Sequence, residues 1–169
     1  MTVPSVSVDT ANTEEEDTSK WLKSVRAAGT WEGSMTTLIE TRGFTFRTDE
    51  PIAVGGNNES PTPMQYVVGA VNGCVTVVIE AVAGELGIVV EKIDTISHAR
   101  QDVRGFRGTA DVSPHFKSFT LEVNLRTTVP ESELDVFKAQ VEKRCPAINL
   151  VRDAGVAFDL VWQVSGAKA

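Results

Sequence analysis

Positive charge, histidine and cysteine are all scarce in this chain. Its 169 residues include 16 Lys and Arg against 23 Asp and Glu, a net charge of −7. That balance excludes the basic stripe with which a nucleic-acid binder displaces counterions from a phosphate backbone, and it offers little to an anionic membrane surface. The only histidines are His98 and His115, and neither forms a short cluster with cysteine or carboxylate. Neither a metal site nor a bound organic cofactor is therefore expected. Long apolar runs are missing too. The longest, Tyr66 to Ile79, is interrupted by Asn72 and ended by Glu80, which suits a buried helix and not a membrane span. The first residues lack the basic, apolar and small-residue succession of a secretory signal, so the expected location is cytoplasmic. In that compartment Cys74 and Cys145, 71 residues apart, are expected to be reactive or inert thiols and not a permanent staple.

What is present is an ordinary globular composition, 41% hydrophobic and 23% charged, with length enough for one sizeable core. Five acids (Asp9, Glu14, Glu15, Glu16 and Asp17) fall within the first nineteen residues, among Thr, Ser and Val and without an aromatic. Such a segment buries too little apolar surface to offset its ordering entropy. Residues 1–19 read as a disordered acidic leader, and residues 20–169 as a single, nearly neutral domain.

Within the domain, Trp21, Leu22 and Val25 have helical spacing before Gly29, which predicts a short helix over 20–28. Strand residues over 30–49 (Trp31, Thr36, Thr37, Ile39, Phe44, Phe46), broken by Arg42 and Gly43, predict a hairpin. The turn formers between Pro51 and Pro63 make a loop. Residues 64–86 are apolar nearly all round and too long for a strand, so they form a central buried helix. Strands follow over 88–100, 105–112 and 118–126, the last with Phe119, Leu121, Val123 and Leu125 on one face. Leu134, Phe137 and Val141 mark a helix opened by Pro130, a short helix runs over 146–153, and a strand over 156–164 closes the chain. The aromatics at strand spacing, Trp31 and Trp162 included, are expected in the core. The order is that of an α+β layer arrangement.

Two positions carry chemistry. Cys74 lies inside the central helix after Asn72 and Gly73, with Gly69 a turn earlier. Glycine there costs about 1 kcal/mol relative to alanine, so these glycines are either close-packing devices or openings toward the sulfur. Cys145 precedes Pro146 where one helix ends and the next begins. A thiol at a helix N-terminus is expected to have a lowered pKa.

The stretch DEPIAVGGNNESPTPMQYVVGAVNGC at 49–74, together with RCPAINL at 144–150, resembles the OsmC/Ohr family of thiol-dependent organic hydroperoxide reductases. The likeness runs over residues 30–164: a Gly-rich loop, a Pro-containing entry, a long apolar helix with one Cys, and a distant Cys-Pro, in that order. The GGNN, PTPMQ and VNGC forms look closest to the broader OsmC-like subgroup. The resemblance implies an OsmC-like fold, with the long helix packed on antiparallel sheets in an intertwined homodimer that has its sites at the interface. It also implies a peroxidatic Cys74, a resolving Cys145, an organic hydroperoxide substrate and an external dithiol reductant. The family's activating arginine falls on Arg47, with Arg42 as the alternate. Its glutamate partner falls on Gln65, a neutral amide that holds a guanidinium less firmly than a carboxylate does; Glu59 in the preceding loop is the other candidate. The rival implication is a non-catalytic protein of the same fold that binds an apolar ligand in the interface pocket or senses redox state.

Overall fold

A computed structural model of the protein describes residues 18–166, so the expected acidic leader lies almost entirely outside the described residues. The described residues open with a single 3-10 turn at Ser19–Trp21 and reach β1 (Ala28–Gly33) without further helix, so the helix expected over 20–28 is not formed. Trp21, Leu22 and Val25 are all exposed. An amphipathic spacing with no surface to bury it cannot sustain so short a helix.

The expected hairpin is a three-stranded meander of β1, β2 (Thr36–Thr41) and β3 (Phe44–Thr48). The turn missed by pattern reading is at Ser34 and Met35, both with positive φ, beside a register shift at Trp31/Gly33. On this sheet Trp31 is 75% exposed and Phe44 68% exposed, contrary to the expectation that strand aromatics are core. The reason is architectural: the sheet has no covering layer within one chain, and its ring contact to the helix layer is Phe46 on Tyr66, with centroids 4.8 Å apart.

The next segment folds around one carboxylate. Asp49 is fully buried and accepts the backbone N–H of Glu50 (2.8 Å), Asn57 (3.1 Å) and Glu59 (3.0 Å), while its own N–H donates to the Pro61 carbonyl. The loop closes so tightly that a Cβ on Gly56 would lie 1.9 Å from the Glu50 carbonyl oxygen. This fixed loop delivers the chain into α1 (Pro63–Leu86). There the Thr62 hydroxyl accepts the Gln65 N–H and the Gln65 side-chain oxygen accepts the Thr62 N–H, a capping box with Pro63 in the first turn. Gly87, at φ 68°, ends the helix.

The second sheet is β4 (Val90–Gln101), β5 (Phe116–Thr127) and β6 (Ala157–Ser165), with β5 central. The strand expected over 105–112 is instead α2 (Val103–Arg107) and its loop. Asp102 caps α2 by accepting the Arg104 N–H, and left-handed Gly108 stops it. The sheet is also not wholly antiparallel, because β6 pairs parallel to β5. The crossover through α3 (Leu134–Arg144) and α4 (Pro146–Asp153) returns the chain in its original direction.

The inner face of β5 (Phe119, Leu121, Val123, Leu125) meets Val71, Val75, Ile79 and Val82 of α1, Phe137 and Val141 of α3, and Ile148 of α4, all at most 2% exposed. Each such side chain contributes roughly 1.5–3 kcal/mol of transfer free energy. The 24 residues of α1 are apolar enough to cross a membrane by length and composition, but this face makes it the core helix. It is buried on that face alone: Val67, Ala70, Gly73 and Val77 are exposed, Val77 at 64%.

The Asp49 carboxyl is held below its usual range, chiefly by the Glu59 amide. An unfolded aspartate titrates near 3.9, so this contribution is complete above that pH and is lost as pH falls through the lower folded value. The protection of the Asn57 and Glu59 amides against hydrogen exchange, taken relative to their intrinsic rates, is expected to fall on acidification before that of the β5 amides, and Asp49→Asn should reproduce the loss of protection at neutral pH.

Candidate functional site

The second sheet and its helices bring the two cysteines together. Cys74 projects from α1, half-buried; Cys145 sits at the α3–α4 corner with no exposed surface. Pro146 forces this corner, since the residue before a proline is driven out of the helical region, and Cys145 has φ −78° and ψ 109°. The Cys145 thiol donates to the Cys74 sulfur across 3.6 Å. Closing that gap by about 1.5 Å would reach S–S bonding distance.

Their environments differ. Burial pushes the Cys145 thiol up from its usual range and the neighbouring Cys74 sulfur adds to the rise, while the Ile148 and Ala147 amides oppose it. The lowered pKa expected at the start of α4 is therefore overturned. The sulfur makes no capping hydrogen bond there, and complete desolvation outweighs the helix end. Cys145 is the fully buried partner of the pair and Cys74 the half-buried one. Two residues earlier on α1, the Asn72 side-chain oxygen accepts the Ser97 hydroxyl of β4, which ties the helix to the sheet.

Gly69 and Gly73 do not serve close packing within the chain, since a Cβ on either would meet nothing within 4 Å. They leave the helix surface open on the side of Val77.

Arg47 lies on β3, on the other sheet. It forms a two-pronged ion pair with Glu32 of β1, Nε to Oε2 at 2.7 Å and Nη2 to Oε1 at 3.1 Å, reaching across β2. Each partner stabilises the other's charge, lowering the Glu32 pKa and raising that of Arg47. Both groups are solvent-accessible, so the pair orients the guanidinium more than it stabilises the fold. Gln65 is engaged in the α1 capping box, and Glu59 acts on Arg47 only through its charge, behind Glu32. Glu32 was not legible in the sequence because it sits beside the β1–β2 register shift, where strand alternation does not say which face a side chain takes. Arg42 occupies the β2–β3 turn at φ 51°. No bond joins Arg47, Arg42 or Gln65 to Cys74 among the described residues. Within the group of Arg47, Arg42 and Gln65, the Phe46 ring, next to Arg47, lies tilted against the ring of Tyr66, next to Gln65.

The sequence profile described as OsmC-like protein matches residues 56–161. A search of curated proteins finds no significant match. Among solved structures the chain is similar to an OsmC-like protein from Mycoplasma pneumoniae, with TM-score 0.72 and 14% identity over 84% of this chain and 97% of that one. It is also similar to an organic hydroperoxide resistance protein OsmC from Legionella pneumophila, described as a predicted redox protein, at TM-score 0.59 and 20% identity over 85% and 98%. The organic hydroperoxide resistance protein OhrB of Bacillus subtilis gives TM-score 0.55 and 17% identity over 85% and 98%. At these identities the likeness is one of fold: a mixed α+β arrangement of two small sheets with helices.

The unequal thiols yield an expected labelling order. Iodoacetamide at pH 8 should modify Cys74 before Cys145, and the Cys145 rate should still be rising with pH where an ordinary thiol, titrating near 8.5, has levelled off. Peptide mapping over a pH series reads both.

Proposed function

Because the chain belongs to the OsmC-like family, we propose that it is a thiol-dependent peroxidase that reduces organic hydroperoxides, working as a cytoplasmic homodimer. The observation that carries the reading is the free thiol pair, one residue half-buried and the other fully buried, with the sulfurs 3.6 Å apart. In this mechanism the Cys74 thiolate attacks the distal oxygen of the hydroperoxide. The O–O bond breaks, the distal OH stays on sulfur so that Cys74 becomes a sulfenic acid, and the departing alkoxide takes a proton from solvent and leaves as the alcohol. Cys145 then gives up its proton and attacks that sulfur; water leaves and an internal disulfide forms. An external dithiol restores both thiols by exchange. No step calls for a metal or an organic cofactor.

Arg47 is the preferred activating group over Arg42, because Glu32 gives its guanidinium the charged partner that Gln65 cannot supply. In this reading the second copy places the β1–β3 sheet near Cys74, the exposed α1 face of Val67, Ala70, Gly73 and Val77 forms the seam, and the site is shared between subunits. A second reading, a binder of an apolar ligand, is favoured by one feature. A cavity of about 420 Å³ beside the entry to α1 has an apolar part formed by Val54, Pro63, Met64, Val103 and Phe106, with Glu50 and Arg107 among its polar lining.

Stopped-flow oxidation with cumene hydroperoxide separates the two. Cys74→Ser should abolish turnover and Cys145→Ser should stop at the sulfenic acid. Glu32→Gln should slow the first oxidation by up to about tenfold, equivalent to about 1.4 kcal/mol. Wild-type protein whose Cys74 stays reduced at millimolar hydroperoxide would favour the binder. Assembly is checked separately: light scattering at micromolar concentration is expected to show a dimer, with more than about 2,000 Å² buried in total, and Val77→Asp should weaken it.

A further inference from the structure

We infer that Asn149 is a positioning residue for the thiol pair, a latch that holds the Cys145 corner at the distance from which its sulfur can bond to Cys74. The need for a latch originates in Pro146. With no N–H, Pro146 cannot return a hydrogen bond to the carbonyl four residues back, that of Glu142, and the extended Cys145 it imposes turns the chain away before the last carbonyls of α3 are satisfied. The Asn149 side-chain amide fills this gap. Its Nδ2 lies 3.2 Å from the Glu142 carbonyl, 3.1 Å from that of Lys143 and 2.9 Å from that of Cys145. The Asn149 backbone N–H also donates to the Cys145 carbonyl, at 3.1 Å. One residue of α4 therefore grips carbonyls before the cysteine and the cysteine's own.

The residue type is required by the chemistry. Three acceptors converge on one atom, and an amide nitrogen is the short, neutral side-chain group that carries two hydrogens to share among them. An aspartate of the same shape would present acceptors to acceptors. With the latch in place, Cys145 can move only a short way, toward a sulfur already 3.6 Å off, which raises the effective concentration of one thiol at the other.

This inference deepens the thiol-pair reading above and takes its biological meaning from it, yet its test needs no hydroperoxide. The full-length protein is equilibrated in mixtures of reduced and oxidised dithiothreitol. One S–S bond forms in the protein as one breaks in the reagent, and two electrons and two protons pass to the reagent. The disulfide fraction is read by quenching and mass spectrometry. Asn149→Asp and Asn149→Ala should lower the constant for disulfide formation by about tenfold, which moves the potential about 30 mV more positive. Asn149→Ser keeps one hydroxyl that can reach the carbonyl four residues back and should lie between them and wild type. In the reduced protein, Asn149→Asp should also speed alkylation of Cys145 while that of Cys74 is unchanged, a split that a general loss of stability would not give. The assignment is overturned if folded Asn149→Asp and Asn149→Ala keep the wild-type constant, or if wild type forms no disulfide under oxidising dithiothreitol. It is equally overturned if both variants lose cooperative melting, for the residue is then a stability element and not a positioning one. Inertness of wild type toward hydroperoxides, with the Asn149 dependence intact, would remove the peroxidase reading and leave the latch standing.

Discussion

The packing of one face of α1 on the inner side of β5 is the constraint on which the rest depends. Val71, Val75, Ile79 and Val82 recur at helical spacing, and Phe119, Leu121, Val123 and Leu125 alternate at strand spacing, so the two periodicities meet in one dry layer. Once that layer is set, the rotation of α1 about its axis is set with it. Cys74, one residue before Val75, is held at the border of the layer, half in and half out. The crossover from β5 to β6 must lie across the same helix, and its corner, Cys145, is thereby brought to the same border from the other side.

That border explains why two cysteines in one contact are chemically unequal. Cys145 is fully buried at the α3–α4 corner, and burial pushes its thiol up against the pull of the α4 amides. Gly69 and Gly73, one turn apart on α1, leave the helix surface open, since a Cβ on either would meet nothing within 4 Å. The glycines cost helix stability, and the capping box at Thr62 and Gln65, the left-handed Gly87 and the buried face offset it.

The β1–β3 sheet obeys a different logic. It touches α1 through Phe46 and Tyr66 and is otherwise anchored by the loop that Asp49 organises, leaving Trp31 and Phe44 in solvent. On it the Arg47–Glu32 pair is built and held. A sheet with uncovered aromatics and a helix with an uncovered apolar face thus stand on the same chain.

The sequence by itself determined the α+β class, the long helix over 64–86, the amphipathic strand around 119–125, the helix pair at 134–153 and the candidate thiols. Each is local: a periodicity, a proline, a spacing between cysteines. Tertiary structure alone decided the rest, because the deciding contacts join residues far apart in the chain. The segment that reads as strand and folds as α2 is the exception and is local too: Asp102 and Gly108 punctuate α2 more strongly than the apolar residues between them. Elsewhere tertiary structure decided. It turned β6 parallel, since direction follows from the crossover and not from alternation. It placed Glu32 opposite Arg47 through a register shift that no pattern announces. It also reversed the expected effect on Cys145, because a helix N-terminus is visible in sequence whereas complete desolvation is visible only once the surrounding helices and sheet are in place.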